Sequence, residues 1–171
     1  VVARADPSRR LVHEINAEPA ARELGRLLGK DPNQIDTFTF ADSPMVVRLG
    51  GSHHVRAIKR VTEDGALEFF SAIDEGLVLT LAEAAHIVDH LDQQLSELSR
   101  GEKPQAILAC DCVLRRIEAE KRQLKRPLDD VLTRHRVTGF STYGEQVNGM
   151  HVNQTMTGVA IYAPEGPCRE T

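Results

Sequence analysis

Between residues 45 and 80, short apolar segments alternate with tight-turn residues, and this pattern constrains the fold most. Met45–Leu49, residues 55–61 and residues 67–73 are strand-length, and residues 76–80 read as a fourth strand. Gly50-Gly51-Ser52 separates the first two, and Asp64-Gly65 is a favoured two-residue hairpin turn. Strands joined this closely pair antiparallel, because a parallel crossover needs a longer connection.

The flanking sequence adds helices. Leu11–Ile15 alternates as a strand does, and residues 19–28 read as a helix with Pro19 in its first turn and Gly29 as its stop. Residues 30–44 hold two prolines and read as a loop. Over residues 82–99, Leu81, Ala84, Ala85, Val88, Leu91, Leu95 and Leu98 share one stripe at helical spacing. Residues 106–110 form an apolar run suited to a buried strand. Asp111 then caps a helix whose inner face is Val113, Leu114, Ile117 and Leu124, and Pro127 opens a last short helix. Residues 137–143 and 150–162 read as the arms of a hairpin around Asn148-Gly149, placed centrally in the sheet. The expected class is α/β of the α+β kind: a mixed, mostly antiparallel sheet with helices packed on a face, built as one domain over residues 1–171.

Charge and composition exclude several functions. Twenty-one Lys and Arg stand against 25 Asp and Glu, a net charge of −4, so a strong basic field for nucleic acid is lacking. No apolar run approaches the roughly 20 residues of a membrane helix. Residues 1–10 lack the apolar core of a secretory signal, and the first residue is not Met, so a piece of a longer cytoplasmic protein is expected. Three cysteines, Cys110, Cys112 and Cys168, are too few and odd in number for a disulfide framework. Cys110 and Cys112 make only one ligand pair where structural zinc takes four ligands, so no metal is expected.

Few constellations carry chemistry. His86 and His90 are four apart, yet helical counting points both away from the apolar stripe. His53 and His54 follow a Gly-Gly turn, and adjacent strand residues face opposite ways. A strand running into Cys112 at a helix start places the thiol against a positive helix end, which lowers a thiol pKa and favours anions or electrophiles; the alternative is an inert, packed residue. Arg115 follows one turn later, although helical counting points it outward. On the return arm, period-2 counting puts His151, Asn153, Thr155 and Thr157 on one side. That face is either solvated or lines a polar pocket. No Walker loop, G-x-G-x-x-G, H-E-x-x-H or G-x-S-x-G is present.

Residues 107–116 (ILACDCVLRR), 137–146 (VTGFSTYGEQ) and 150–155 (MHVNQT) together resemble the C-terminal half of FIST-domain proteins, in order and in spacing. Their wording is most similar to the nitric-oxide-sensing branch called NosP. The resemblance implies a non-catalytic sensory domain of a signal-transduction protein, bacterial, haem-binding and nitric-oxide-responsive. The implied partners are a histidine kinase or a cyclic-di-GMP enzyme and an N-terminal FIST half of the same chain, with no nucleic acid and no membrane; a homodimer is compatible with it. A sensor for small anions or amino acids, or an interaction module without cofactor, is the alternative. The expected ligand site lies between the Cys112 helix start and the polar face of the return arm: Cys112, Arg115, Tyr143, Glu145 and Asn153. His151 is the haem-ligand candidate, with His53 and His54 as alternatives.

Overall fold

The computed structural model describes residues 1–147 and 149–164, so Asn148 of the expected turn and Cys168 lie outside the described residues. The elements run β1 (Val2–Asp6), β2 (Leu11–Ile15), β3 (Glu18–Pro19), α1 (Ala20–Leu28), α2 (Thr37–Asp42), β4 (Met45–Leu49), β5 (Ser52–Val55), β6 (Ile58–Val61), β7 (Leu67–Phe69) and β8 (Thr80–Leu81). They continue through α3 (Ile87–Leu98), β9 (Ala106–Cys112), α4 (Val113–Lys121), α5 (Lys125–Arg134), β10 (Val137–Thr142), β11 (Glu145–Val147), β12 (Met150–Val152) and β13 (Met156–Ile161). The class is α+β, as expected, and among the described residues all strand pairs but one are antiparallel.

Two sheets take up the first half. One has the order β1-β2-β7-β6, with β3 on β2; the other has the order β5-β4-β8. The single strand expected over residues 55–61 is divided between them. The Arg56 amide donates to Met45 O in one sheet (2.7 Å), and the Phe70 amide donates to Ala57 O at the edge of the other (3.0 Å). Strand β1 escapes the alternation pattern because only Val2 of its five residues is buried. The supposed loop at 30–44 contains α2, whose Asp36 N-cap and Thr39 form a reciprocal capping box. The helix expected from residue 82 starts at Ile87, because the Ala82 amide is bound to Pro44 O (2.9 Å) beside β4.

The second half is arranged around β9. Strand β10 pairs with it in parallel and β13 in antiparallel, so Cys110 stands between Phe140 and Thr157. This corrects the expected central hairpin: its arms never pair, because β9 lies between them. The crossover from β9 to β10 runs through α4 and α5, long enough for parallel pairing. The local hairpin is the short one of β11 and β12. Gly139 is required where β10 meets β9, since a Cβ there would lie 1.8 Å from Ala109 O.

Packing divides into three apolar clusters. The largest joins Val12, Ile15, Leu24, Leu67, Phe69 and Ile73 under the first sheet. A second joins Leu91, Leu95, Ile107 and Val131, so α3 and α5 cover one face of the β9 sheet. The third is small: Ala57, Cys112 and Leu114, where α4 meets the first half. Ion pairs of Arg122 with Asp42 and of Lys121 with Asp36 support that junction. The opposite face of the β9 sheet is open. Leu108, Phe140, Val159 and Ile161 are exposed there.

Candidate functional site

The end of the β9 sheet gathers most of the expected site. Cys112 ends β9 and is the N-cap residue of α4; its amide donates to Thr155 O (3.0 Å). Asp111, expected as the cap, is still in the strand, opposite Ser141 and Met156. The Cys112 side chain is fully buried, and burial pushes its thiol up, aided by the nearby Glu145 carboxylate. The amides of Leu114 and Gln154 pull the other way and do not prevail. Of the two readings of this thiol, activated or inert and packed, the structure supports the inert one: desolvation outweighs the helix terminus.

Arg115 bends back, against the helical count. Its side chain is only 13% exposed, and its Nε donates to Asp111 Oδ1 (2.6 Å). Burial pushes the Asp111 carboxyl up, and the arginine opposes this.

Glu145, at the start of β11, is buried. Its two oxygens accept from the hydroxyls of Thr142 and Thr155, the latter at 2.6 Å. Buried carboxylates are expensive unless hydrogen-bonded, and here β10 and the approach to β13 each supply a donor. Asn153 is 0% exposed; its Nδ2 donates to Tyr143 O (3.3 Å), while its Oδ1 has no partner among the described residues. An unpaired buried amide oxygen is an acceptor held ready for a donor.

Tyr143 is 79% exposed, so its backbone and not its ring belongs to this cluster. His151 is exposed on β12, beside Gly144, where a Cβ would lie 2.5 Å from His151 Cε1 and 2.9 Å from Asn153 Nδ2. A glycine is needed for that approach. The return arm does not keep period 2, since Gln154 has φ of +53° and breaks the strand between β12 and β13. The expected common face of His151 and Asn153 is thereby corrected: one is exposed and the other buried.

The remaining histidines lie elsewhere. His53 and His54 are on β5, opposite Arg48 and Val47. His86 precedes α3 and pairs with Asp89 (2.9 Å), while His90 lies within the helix and is exposed. Among the described residues, no group of three His, Cys, Asp or Glu side chains is placed to hold a metal ion. Sequence reading missed Thr142, Asp111 and Gln154 as parts of the site. Gln154 Nε2 donates to Ala41 O (2.8 Å), tying the site to α2. The signal available for Thr142 was its position three residues before a glutamate that needed donors.

A polar cluster with one buried acceptor left open thus lies beside an unactivated thiol. A family model described as FIST C domain matches residues 20–148, more than half of the chain, and the chain belongs to this family. FIST C domains are sensory domains of signal-transduction proteins. Cys112, Arg115, Tyr143 and Glu145 fall inside the matched stretch; His151 and Asn153 follow it. No curated protein and no solved structure matches the chain significantly. None of the described helices is long and apolar enough to cross a membrane.

Proposed function

We propose that this domain is a non-catalytic, ligand-binding sensor of a cytoplasmic signalling protein. The observation that carries the reading is the preformed polar cluster of Glu145, Thr142, Thr155 and Asn153, with Asn153 Oδ1 unpaired and His151 beside it. Groups held this way are preorganised for binding, whereas Cys112, the buried thiol among the described residues, is held protonated.

The sequence resemblance to the NosP branch favours haem as the ligand and nitric oxide as the signal, with output to a histidine kinase or a cyclic-di-GMP enzyme. His151 suits one requirement of haem, an open imidazole on a braced hairpin. The other requirement is an apolar slot around this exposed side chain. A second wall from an N-terminal FIST half or from another copy of the chain would complete it. Haem supplies an iron that binds nitric oxide; this chain's part is to offer the imidazole and to fix the hairpin through Gly144 and Asn153.

The experiment is an absorption titration of the chain, with and without an N-terminal FIST half, using hemin. A Soret shift that is altered in His151→Ala supports the haem reading. An unaltered Soret position in that variant removes His151 and turns attention to His53 and His54. The small-anion alternative is favoured by one specific observation, the inward-bent Arg115.

A further inference from the structure

A groove that adjoins the Asn153 cluster at Gln154 and Thr155 runs between α3 and the β9 sheet, with a volume of about 600 Å³. That size lies within the usual range for small-molecule sites. Its walls are mainly apolar, with Leu91 and Leu95 from α3, Ile107 from β9, and Met156 and Ala160 from β13, while His90, Gln94, Thr155 and Thr157 add polar groups. Its ends differ. Arg115 lines it near the start of β13, where Met156 pairs with Asp111. The far end lies by Leu98, whose carbonyl accepts from Tyr162 just after β13. From Met156 to Ala160 the strand rises about 13 Å, the length of an extended chain of about ten carbons.

Arg115 is the unusual part of this groove. Its side chain is only 13% exposed, yet only Nε has a partner, and its two terminal nitrogens make no hydrogen bond among the described residues. A planar fork of unpaired N–H donors at the end of an apolar trough matches a carboxylate in its bidentate mode. Glu97 lines the groove toward the other end and disfavours a second negative charge there.

We propose that the groove between α3 and β13 binds a monocarboxylate with an extended apolar body, its carboxylate on the terminal nitrogens of Arg115. The apolar body lies along Leu91, Leu95 and Ala160. The inference rests on the domain being a ligand sensor but not on haem: Thr155 and Gln154 of the polar cluster line the groove, whereas Glu145, Asn153 and the haem-ligand candidate His151 do not.

The test is calorimetric titration of the chain with decanoate and, separately, with decanol. Decanoate should bind at least about tenfold more tightly than decanol, the difference a charge-assisted pair supplies. Arg115→Gln should reduce decanoate affinity by about tenfold or more, with decanol unchanged. Because Arg115→Gln leaves Asp111 unpaired and can impair folding, Ala160→Phe is the second variant; it fills the trough and should abolish decanoate binding. The proposal is overturned if decanoate does not bind at millimolar concentration or binds no better than decanol. Unchanged affinity in folded Arg115→Gln or in folded Ala160→Phe also overturns it. A hemin titration that fails while decanoate binds would reject the haem reading alone; the converse result would reject the groove alone.

Discussion

Replacing Thr155 by Val removes one hydroxyl and almost nothing else, so it isolates the bond on which the Glu145 cluster depends. That hydroxyl donates to Glu145 Oε2 at 2.6 Å, and the carboxylate is 5% exposed. Water cannot easily replace the donor. Hydrogen bonds to charged groups contribute about 1.5–3 kcal/mol, and a buried acceptor left without one incurs a desolvation penalty of similar size. The expected loss is therefore about 2 kcal/mol, or about 4–8 °C in Tm for a chain of this length. Thr155→Ser keeps the hydroxyl and should lose clearly less. Urea unfolding followed by far-ultraviolet circular dichroism measures both, and the m value should stay constant. Combining Thr155→Val with Glu145→Gln gives a double-mutant cycle with a coupling above about 0.5 kcal/mol. A Thr155→Val loss below about 0.5 kcal/mol, or additivity with Glu145→Gln, would refute the claim that this carboxylate is held by its two hydroxyls.

Gly139→Ala places a methyl group where Ala109 O already lies 1.8 Å away, so β10 must separate from β9; a loss of about 3 kcal/mol or more is expected in the same assay, with little soluble protein as the extreme case. Native alkylation at pH 7, mapped by mass spectrometry, should label the half-buried Cys110 before Cys112, whose thiol is fully buried and pushed up; early labelling of Cys112 would contradict the packing described. Glu23 is held down from the ordinary 4.5 to about 2 by the Arg26 guanidinium and the Asn16 amide. The unfolded chain thus binds the proton more readily, so the stability Glu23 contributes is complete above about pH 4.5 and is lost as pH falls toward 2. Glu23→Gln should flatten that part of the stability–pH curve, and an unchanged acid limb would refute the assignment.

Local signals were legible where one element decided its own structure. Gly29 ends α1 in the left-handed conformation that the sequence suggested, and Leu91 and Leu95 face the core as their spacing requires. Pairing between distant strands was not legible. Residues 137–162 satisfy every local hairpin rule, yet β9 enters between the arms because it can hydrogen-bond both, a choice made by tertiary packing and not by turn chemistry. In the site, the residue types were readable but their orientation was not. The φ of +53° at Gln154 separates His151 from Asn153, and no propensity marks a glutamine for that conformation. Arg115 was counted outward because helical geometry fixes Cβ alone, and its long stem then follows Asp111 inward. For Cys112 the helix position and the packing pull in opposite directions, and the neighbouring Ala57 and Leu114 decide for the inert reading through burial.

The proposed function requires that the Asn153 cluster and its hairpin form a ligand site. Two-dimensional amide NMR of the nitrogen-labelled chain, titrated with hemin, tests it residue by residue. Signals from Tyr143 to Gln146 and from Met150 to Thr155 should broaden first, through the paramagnetic iron, with the Asn153 side-chain amide among them. Broadening confined to other elements, or no change at stoichiometric hemin with the N-terminal FIST half present, would contradict it.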